Sequence, residues 1–370
     1  MAPTSESTVL LASHTTLRVG GPAGRFEEAR GPEELRRLAC ACDDAGDALF
    51  VLGGGSNVLV ADEGFDGWVV HTVDGSIEAL PAPDASGRTV VRVEAGTDWD
   101  DVVAWAVDHA LAGIEALSGI PGQIGSAVMQ NLGAYRQDVG GVLTAATLLD
   151  RADGSVRRWH ADELGLGYRT SMLRASMEQV GSPWTPSPRW IVLEAYLALS
   201  ASESGTVDHP QLARALGCEV GVEIPIRQIR SAVLEVRSAK GMVRDDEPQG
   251  QSPVYDRWSS GSFFTNPVLS AETADELLPQ DAPRYATDDP ATVKTSAAWL
   301  IEHAGFPKGY GVDGPGSRAT LSSLHTLALT NRGDASAADI VRLARTVRDG
   351  VRERFGIELE PESVLVGVEL

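Results

Sequence analysis

The chain has 370 residues, of which 43% are hydrophobic and 22% are charged, a composition typical of a globular protein with buried cores. At roughly 150 residues per domain, this length predicts two or three domains. The formal net charge of −21 argues against nucleic acid or an anionic membrane as a partner, so an anionic ligand would need local arginines or backbone amides.

The cysteines and histidines give little support to a disulfide framework or a metal site. Cys40, Cys42 and Cys218 are odd in number and lack CxxC spacing, which favours a reducing compartment. The histidines form no HxxxH or HExxH pair, so we expect no metal. No stretch approaches the ~18 apolar residues of a membrane span. We therefore expect a cytoplasmic monomer without a membrane or nucleic-acid partner.

The first half of the chain alternates predicted helices and strands. Apolar residues recur at helical spacing over 33–46, where a glycine ends the pattern. Asp98 is a typical N-cap for a second helix over 100–111, which includes Ala110 on its apolar face. The strands predicted in this half cover 49–52, 58–61, 68–72, 90–95 and 143–150.

The second half begins with a predicted strand over 191–199 and two helices over 211–216 and 226–237. The polar, proline-bearing residues 245–259 predict a linker or domain boundary. Beyond them we expect a helix near 293–304. The final helix begins at Ser336, which forms a capping-box-like pair with Asp339, and Gly356 ends it.

Three consecutive glycines lie between two apolar runs in VLGGGSNVLV (51–60). Val58 stands where a GxGxxG fingerprint needs glycine, and no Gly-Lys-Ser/Thr is present, so the Rossmann and Walker A patterns both fail. What remains is a strand–GGGSN–strand element. Its amides form either a plain turn or an anion-binding nest.

A second glycine-rich stretch, SGIPGQIGSAVMQNLGAY (118–135), has glycine at every third position before a helix-compatible run at 126–130. Bare amides beside a helix N-terminus suit a diphosphate, and the alternative is a close-packed glycine turn. Two such loops in an acidic, lysine-poor chain fit one dinucleotide cofactor held mainly by backbone. The candidate cofactor-binding residues are Gly53, Gly54, Gly55, Ser56, Asn57, Ser118, Gly119, Ile120, Pro121, Gly122, Gly125 and Ser126.

Seven stretches in chain order carry a family resemblance. They are TLRVGGPA (16–23), VLGGGSNVLV (51–60), SGIPGQIGSAVMQNLGAY (118–135), GYRTSMLR (167–174), RSAKGMV (237–243), GSFFTNP (261–267) and LEPESVLVG (359–367). With them the chain resembles the bacterial UDP-N-acetylenolpyruvoylglucosamine reductases, the flavoenzymes that make UDP-N-acetylmuramate for peptidoglycan. The region 191–237 resembles the longer of the family's subtypes.

The resemblance implies an α+β fold: a two-part FAD-binding fold like that of vanillyl-alcohol oxidase (PCMH-like) and a C-terminal α+β substrate-binding domain. The first FAD-binding part would cover 1–76, completed by 352–370, and the second 77–244. The substrate-binding domain would cover 245–351. FAD would be bound tightly and non-covalently, its diphosphate against both glycine loops, and NADPH would be the reducing co-substrate.

Reduction of an enolpyruvyl ether adds hydride to the methylene carbon and a proton to the alpha carbon, so negative charge develops on the carboxylate. The resemblance places Arg169 at that carboxylate, Ser262 as the proton donor, and Glu362 with Arg169 in stabilising the enediolate. A guanidinium offers a planar, permanently charged fork for this task. The structural alternatives are an ion pair for Arg169, a turn residue for Ser262 and a solvated acid for Glu362.

The resemblance also implies substrate contacts. Tyr168 and Asn266 would lie near the substrate, Lys240 would meet its diphosphate, and Tyr285 is a candidate for the uridine end. His209, in VDHPQLARAL (207–216), takes the place of a tyrosine that folds over the substrate in the longer subtype, and its imidazole could reach a phosphate.

Two other functions stay open on the sequence. One is an oxidase of sugar alcohols or hydroxy acids built on the same flavin fold, for which GSFFTNP and EPES have no evident use. The other is a flavin- or nucleotide-binding regulator without activity. Such a binder need not keep a proton donor, so the combination of Arg169, Ser262 and Glu362 favours the reductase.

Overall fold

The computed structural model describes residues 8–179, 181–243 and 254–370. The α-helices among them are α1 (Gly31–Ala45), α2 (Trp99–Asp108), α3 (Ile124–Met129), α4 (Met172–Glu178), α5 (Pro210–Leu216), α6 (Ile226–Ser238), α7 (Ala271–Leu277), α8 (Ala297–His303) and α9 (Ala337–Phe355). The strands are β1 (Ala23–Arg30), β2 (Leu49–Leu52), β3 (Val58–Val60), β4 (Phe65–Val73), β5 (Ile77–Ala79), β6 (Thr89–Glu94), β7 (Leu111–Ala112), β8 (Gly133–Ala134), β9 (Gln137–Asp138), β10 (Leu143–Asp150), β11 (Val156–His160), β12 (Trp190–Ala201), β13 (Ser204–Thr206), β14 (Glu223–Pro225), β15 (Val268–Ser270), β16 (Tyr285–Ala286), β17 (Thr292–Lys294), β18 (Ala319–Leu321), β19 (Leu329–Asn331) and β20 (Val364–Val366).

The chain divides into two compact units, each built from several segments. The first unit takes residues 1–22, 55–65 and 245–370, and the second takes 23–54 and 66–244. The division into three functional parts stays a prediction. Of the predicted linker at 245–259, residues 245–253 lie outside the described residues.

The second unit is built on two sheets. β2 pairs in parallel with β4 in the order β1-β4-β2, and a larger antiparallel sheet has the order β11-β10-β12-β6-β5. Helix α1 buries its predicted apolar face against this core and ends at Gly46, which adopts φ +74°. Helix α2 begins at the predicted cap, since the Asp98 side chain accepts the amide hydrogen of Asp100.

In the first unit, β20 pairs in parallel with β3, so the end of the chain lies beside the strand that follows the first glycine loop. Helix α9 has the predicted capping box between Ser336 and Asp339 and ends at Gly356. Its buried face packs in a core that also contains Phe263 and Phe264. The α+β class expected from the sequence is confirmed.

Two predicted helices are shorter than expected. The helix over 100–111 ends at Asp108, and Ala110 is not on its face but in the left-handed region at φ +54°, because the next residues pair as β7 with β12. The helix near 293–304 begins only at Ala297, because Thr292–Lys294 forms the middle strand of the β15-β17-β16 sheet. In both cases strand pairing overrides local apolar spacing.

No described helix has both the length and the apolar character that crossing a bilayer requires. Nor do three or more His, Cys, Asp or Glu side chains gather at one point in the described part of the chain in a way that could hold a metal ion.

Candidate active site

The two glycine loops come into backbone contact within the second unit. A methyl group built on Gly54 would lie 3.2 Å from Gly122 Cα, and one built on Gly53 would lie 3.0 Å from the side-chain oxygen of Gln123. Gly122 itself adopts φ +124°, which favours glycine. In the part of the chain that the structure describes, the amides of Gly54 and Gly122 donate no backbone hydrogen bond. The pair therefore forms a narrow surface of bare backbone.

Gln123 ties the second loop to the sheet beneath the first. Its Nε2 donates to the Thr72 carbonyl at 2.8 Å, and its Oε1 accepts from the Thr72 hydroxyl. The same hydroxyl lies 3.3 Å from the carbonyl of Leu52, the last residue of β2. The sequence analysis did not identify Gln123 as a candidate residue. The available signal was a polar residue between Gly122 and Gly125, directly before helix α3.

Charged side chains hold the beginning of the second loop. The Gly119 amide donates to Asp100 Oδ1 at 2.6 Å, and Arg230 bridges both oxygens of the same carboxylate at 2.6 and 2.9 Å. Burial alone would raise the pKa of Asp100, but the hydrogen bonds from Arg230 and Gly119 outweigh it and hold the pKa below its usual range. The Gly119 carbonyl accepts from the buried Arg237 at 3.2 Å.

The remaining residues of this loop have visible packing roles. The Gly125 amide donates to the Ala95 carbonyl at 3.0 Å, and a methyl group on Gly125 would lie 3.2 Å from Ala95 Cβ. The hydroxyl groups of Ser118 and Ser126 donate to carbonyls three residues earlier, and Ile120 packs on the core. Direct flavin contacts from these residues and from Pro121 stay predictions.

The last part of the first loop lies in the first unit. Gly55 adopts φ +61°, and a methyl group there would lie 1.9 Å from the His14 carbonyl oxygen, so only glycine fits. Ser56 is half-buried. Asn57 donates from Nδ2 to the Glu362 carbonyl at 3.3 Å, and its own carbonyl accepts from the Val364 amide at 2.9 Å. The loop thus joins the segment that carries Glu362.

Ser262 and Glu362, far apart in sequence, are brought together by backbone pairing. The Glu362 amide donates to the Phe263 carbonyl at 2.8 Å, and the Thr265 amide donates to the Glu360 carbonyl at 2.9 Å. Phe263 is fully buried and anchors this pairing. Among the described residues the Ser262 hydroxyl has no hydrogen-bond partner. The structure therefore pairs the segment that follows Ser262 with the segment that carries Glu362.

The third predicted catalytic residue, Arg169, lies in the second unit on a tight turn in which Gly167 and Thr170 pair. It adopts φ +55°, which is uncommon for a residue with a side chain and concentrates at functional sites. Its guanidinium donates to the Gly133 carbonyl at 2.6 Å and lies 3.5 Å from that of Asn131. The neighbouring Tyr168 is 42% exposed. The turn thus holds the arginine in one orientation.

His209 and Lys240 also meet in the second unit. His209 Nδ1 accepts the Gln211 amide hydrogen at 3.2 Å, and Lys240 Nζ donates to the Gln211 side chain at 3.2 Å. The imidazole packs edge-on against Tyr135, with 5.3 Å between ring centroids. Burial, and then the charges of Arg136 and Lys240, lower the pKa of His209. This places a neutral imidazole in a cationic neighbourhood.

Asn266 and Tyr285 belong to the first unit. Asn266 Oδ1 accepts the Ala297 amide hydrogen at 2.9 Å, so the side chain helps to begin α8. Tyr285 lies on β16 and is 49% exposed. Their substrate contacts stay predictions.

The amides of Gly54 and Gly122, which donate no backbone hydrogen bond, fit a diphosphate, and a Cβ on Gly54 would press against the Gly122 backbone. Residues 25–159 match the family model of an FAD binding domain. Residues 252–366 match the C-terminal domain of UDP-N-acetylenolpyruvoylglucosamine reductase. The fold and this site define an FAD-dependent oxidoreductase.

Relatives identify the family. The chain is 45% identical to the UDP-N-acetylenolpyruvoylglucosamine reductase of Saccharopolyspora erythraea, over 100% of this chain and 97% of the relative. It is 44% identical to that of Thermobifida fusca, over 98% of each. The crystal structure of the reductase from Thermus caldophilus matches with a TM-score of 0.61 and 28% identity, over 97% of this chain and 98% of that one. The chain belongs to the UDP-N-acetylenolpyruvoylglucosamine reductase family.

Proposed function

We propose that the protein reduces UDP-N-acetylglucosamine enolpyruvate to UDP-N-acetylmuramate, with FAD as cofactor and NADPH as reductant. The observation that carries this proposal is the backbone pairing of residues 263–265 with 360–362, which joins Glu362 to the residue that follows Ser262. Identity to named reductases over the whole chain supports the substrate. The acidic composition and unpaired cysteines support a cytoplasmic protein, and we propose that it acts as a monomer.

FAD, when bound and reduced by NADPH, would supply the hydride for this reaction. The hydride forms a C–H bond at the methylene carbon while the carbon–carbon π bond breaks, and the electron pair moves into the carboxylate as an enediolate. The alpha carbon then takes a proton. The protein must stabilise the enediolate where its charge develops and deliver the proton from a fixed position.

Arg169 is proposed to bind the carboxylate. Its hydrogen bonds to the carbonyls of Gly133 and Asn131 fix the plane of the guanidinium. A permanently charged guanidinium held in one plane stabilises the carboxylate more strongly as negative charge develops on it. Catalysis requires an interaction that strengthens in this way, because equal stabilisation of substrate and transition state improves binding alone.

Ser262 is proposed to donate the proton to the alpha carbon. Serine is a weak acid, so it suits a strongly basic carbon such as that of an enediolate. Glu362 is proposed to help in stabilising the enediolate. A bare carboxylate would repel this negative charge, so Glu362 must act in its protonated form or with its charge balanced by Arg169.

The test is to purify the protein, look for bound yellow flavin, and follow NADPH oxidation with the enolpyruvyl substrate. Ser262→Ala should leave flavin reduction by NADPH intact and nearly abolish transfer to the substrate. Ser317→Ala is the matched control, because Ser317 is also a serine of the first unit, and its hydroxyl bonds within its own turn. Unchanged turnover in Ser262→Ala would remove Ser262 from the mechanism.

The alternative oxidase has a distinct signature in the same assay. Rapid oxygen consumption with simple sugars, together with no consumption of the enolpyruvyl substrate, would contradict the reductase. If the protein binds flavin, but NADPH does not reduce that flavin and neither substrate is consumed, the protein would instead be a flavin-binding protein without activity.

A further inference from the structure

Thr16 connects the first glycine loop to the segment that leads into Ser262. Its amide donates to the Gly55 carbonyl at 3.0 Å, and its hydroxyl donates to the Ser259 carbonyl at 2.6 Å. All of these residues belong to the first unit. Thr16 belongs to the stretch TLRVGGPA (16–23), to which the proposed reaction assigns no role. With its amide and its hydroxyl, this residue connects two functional segments.

Ser363 makes a second connection, between Ser260 and Asn57 of the first glycine loop. Ser363 Oγ lies 3.2 Å from Asn57 Oδ1 and 2.9 Å from Ser260 Oγ. Ser363 Oγ is the donor toward both acceptors, and its single proton serves one of the two bonds at a time. Asn57 Nδ2 in turn donates to the Glu362 carbonyl. Each polar group in this chain of bonds thus has a partner.

We call Thr16, Asn57, Ser259, Ser260 and Ser363 the serine network. Three of its members are almost fully buried: Ser259 is 7% exposed, Ser260 5% and Ser363 3%. A buried hydroxyl that loses its partner keeps the full cost of its desolvation, so such networks resist distortion. Ser260 of the network lies two residues before Ser262, and Ser363 lies one residue after Glu362.

We propose that Thr16 and Ser363 are positioning residues, which hold Ser262 and Glu362 in one fixed geometry relative to residues 55–57 of the glycine loop. This inference rests on the proposed function. Neither hydroxyl takes part in the chemistry, since both are bonded to other protein groups. Their effect on rate comes through placement, because a displacement of about 1 Å at a reacting group can cost on the order of a hundredfold in rate.

The test uses the flavin-loaded protein and separates the two half-reactions by stopped-flow absorbance. The variants are Ser363→Ala and Thr16→Val, with Thr16→Ser as the conservative variant that keeps the hydroxyl. Ser317→Ala is the matched control for losing a buried serine with two hydrogen bonds. Ser262→Ala is included as the reference for loss of the proton donor.

We expect flavin reduction by NADPH to stay within about twofold of the wild-type rate in every variant. Flavin reoxidation by the enolpyruvyl substrate should slow by about ten- to a hundredfold in Ser363→Ala and Thr16→Val, with little change in KM. Thr16→Ser and Ser317→Ala should stay close to wild type. The solvent deuterium isotope effect on reoxidation should rise in the two slow variants, because proton delivery becomes more limiting.

A second measurement does not depend on turnover. Hydrogen–deuterium exchange followed by mass spectrometry should show faster exchange of peptides covering 259–265 and 360–364 in Ser363→Ala than in Ser317→Ala. These segments contain the amides of Glu362 and Thr265, whose hydrogen bonds define the pairing.

The outcomes separate the two proposals. If Ser262→Ala stops reoxidation while Ser363→Ala and Thr16→Val match the wild type in rate and in exchange, the positioning role is wrong and the proposed function stands. If Ser262→Ala also reoxidises at the wild-type rate, the proposed catalytic role of Ser262 fails, and the positioning role fails with it.

Discussion

The main-chain amide of Glu362 donates a 2.8 Å hydrogen bond to the carbonyl oxygen of Phe263. This bond joins the last segment of the chain to the residue that follows Ser262, so the spacing of the proposed proton donor and acid is set by backbone. The bond is a main-chain contact, and the fully buried side chain of Phe263 anchors it in the core.

Phe263→Ala should lower the free energy of unfolding by about 3–5 kcal/mol, because it removes a fully buried ring and leaves a cavity. Urea denaturation followed by circular dichroism measures this loss. Leu324→Ala is the control: Leu324 is 38% exposed, so its truncation should change stability by no more than about 0.5 kcal/mol. Equal effects of the two substitutions would show that Phe263 does not anchor the segment.

Gly54→Ala should reduce the flavin content of the purified protein and leave the fold intact. The added methyl group would lie 3.2 Å from Gly122 Cα and cover the bare backbone that we assign to the diphosphate. The ratio of flavin to protein absorbance measures the loss. Gly46→Ala is the control, since it faces open space at φ +74° and should cost about 1 kcal/mol of stability without any loss of flavin. Full flavin content in Gly54→Ala would contradict the assignment.

Asp100→Asn should destabilise the second unit by about 1–3 kcal/mol, because Arg230 and the Gly119 amide lose a charged partner. The folded-state pKa of Asp100 is depressed, so its stabilising contribution is present above the unfolded value of roughly 3.9 and is lost as pH falls through the folded value. The variant should therefore lose less stability than wild type on acidification. Asp101→Asn, on the exposed side of α2, should behave as wild type does.

His209→Asn should alter the pH dependence of stability. The folded-state pKa of His209 is lowered from roughly 6.5, so the unfolded chain binds the proton more readily. Stability from this residue is fully present above about pH 6.5 and is lost as pH falls below that value. Asparagine keeps a cap for α5 without titrating. Denaturation at several pH values should show a smaller loss in the variant, and identical curves would refute a depressed pKa.

Arg169→Lys should slow flavin reoxidation by the enolpyruvyl substrate by on the order of a hundredfold, with flavin reduction by NADPH unchanged. A lysine ammonium cannot keep the planar fork that the carbonyls of Gly133 and Asn131 orient. Arg157→Lys is the control, because the Arg157 side chain is 58% exposed in a surface ion pair. Wild-type reoxidation in Arg169→Lys would show that a single positive charge is enough.

Local signals were sufficient for most helix ends. Asp98 caps α2, the pair of Ser336 and Asp339 begins α9, and Gly46 and Gly356 end their helices in the left-handed region, as expected. Each signal acts within one turn, through a hydrogen bond or a dihedral preference that needs no distant partner. The prediction of a helix at residues 293 and 294 was wrong because the strands that pair with them lie elsewhere in the chain.

The sequence by itself determined the family and the α+β class, and it predicted catalytic roles for Arg169, Ser262 and Glu362, because ordered motifs and local propensities are properties of neighbouring residues. Only the tertiary structure decided that Gly54 meets Gly122, that Glu362 pairs with the residue after Ser262, and that Thr16 and Ser363 bond the segments around them. These contacts join residues distant along the chain, and they form when burial of the core outweighs the entropy of bringing those segments together.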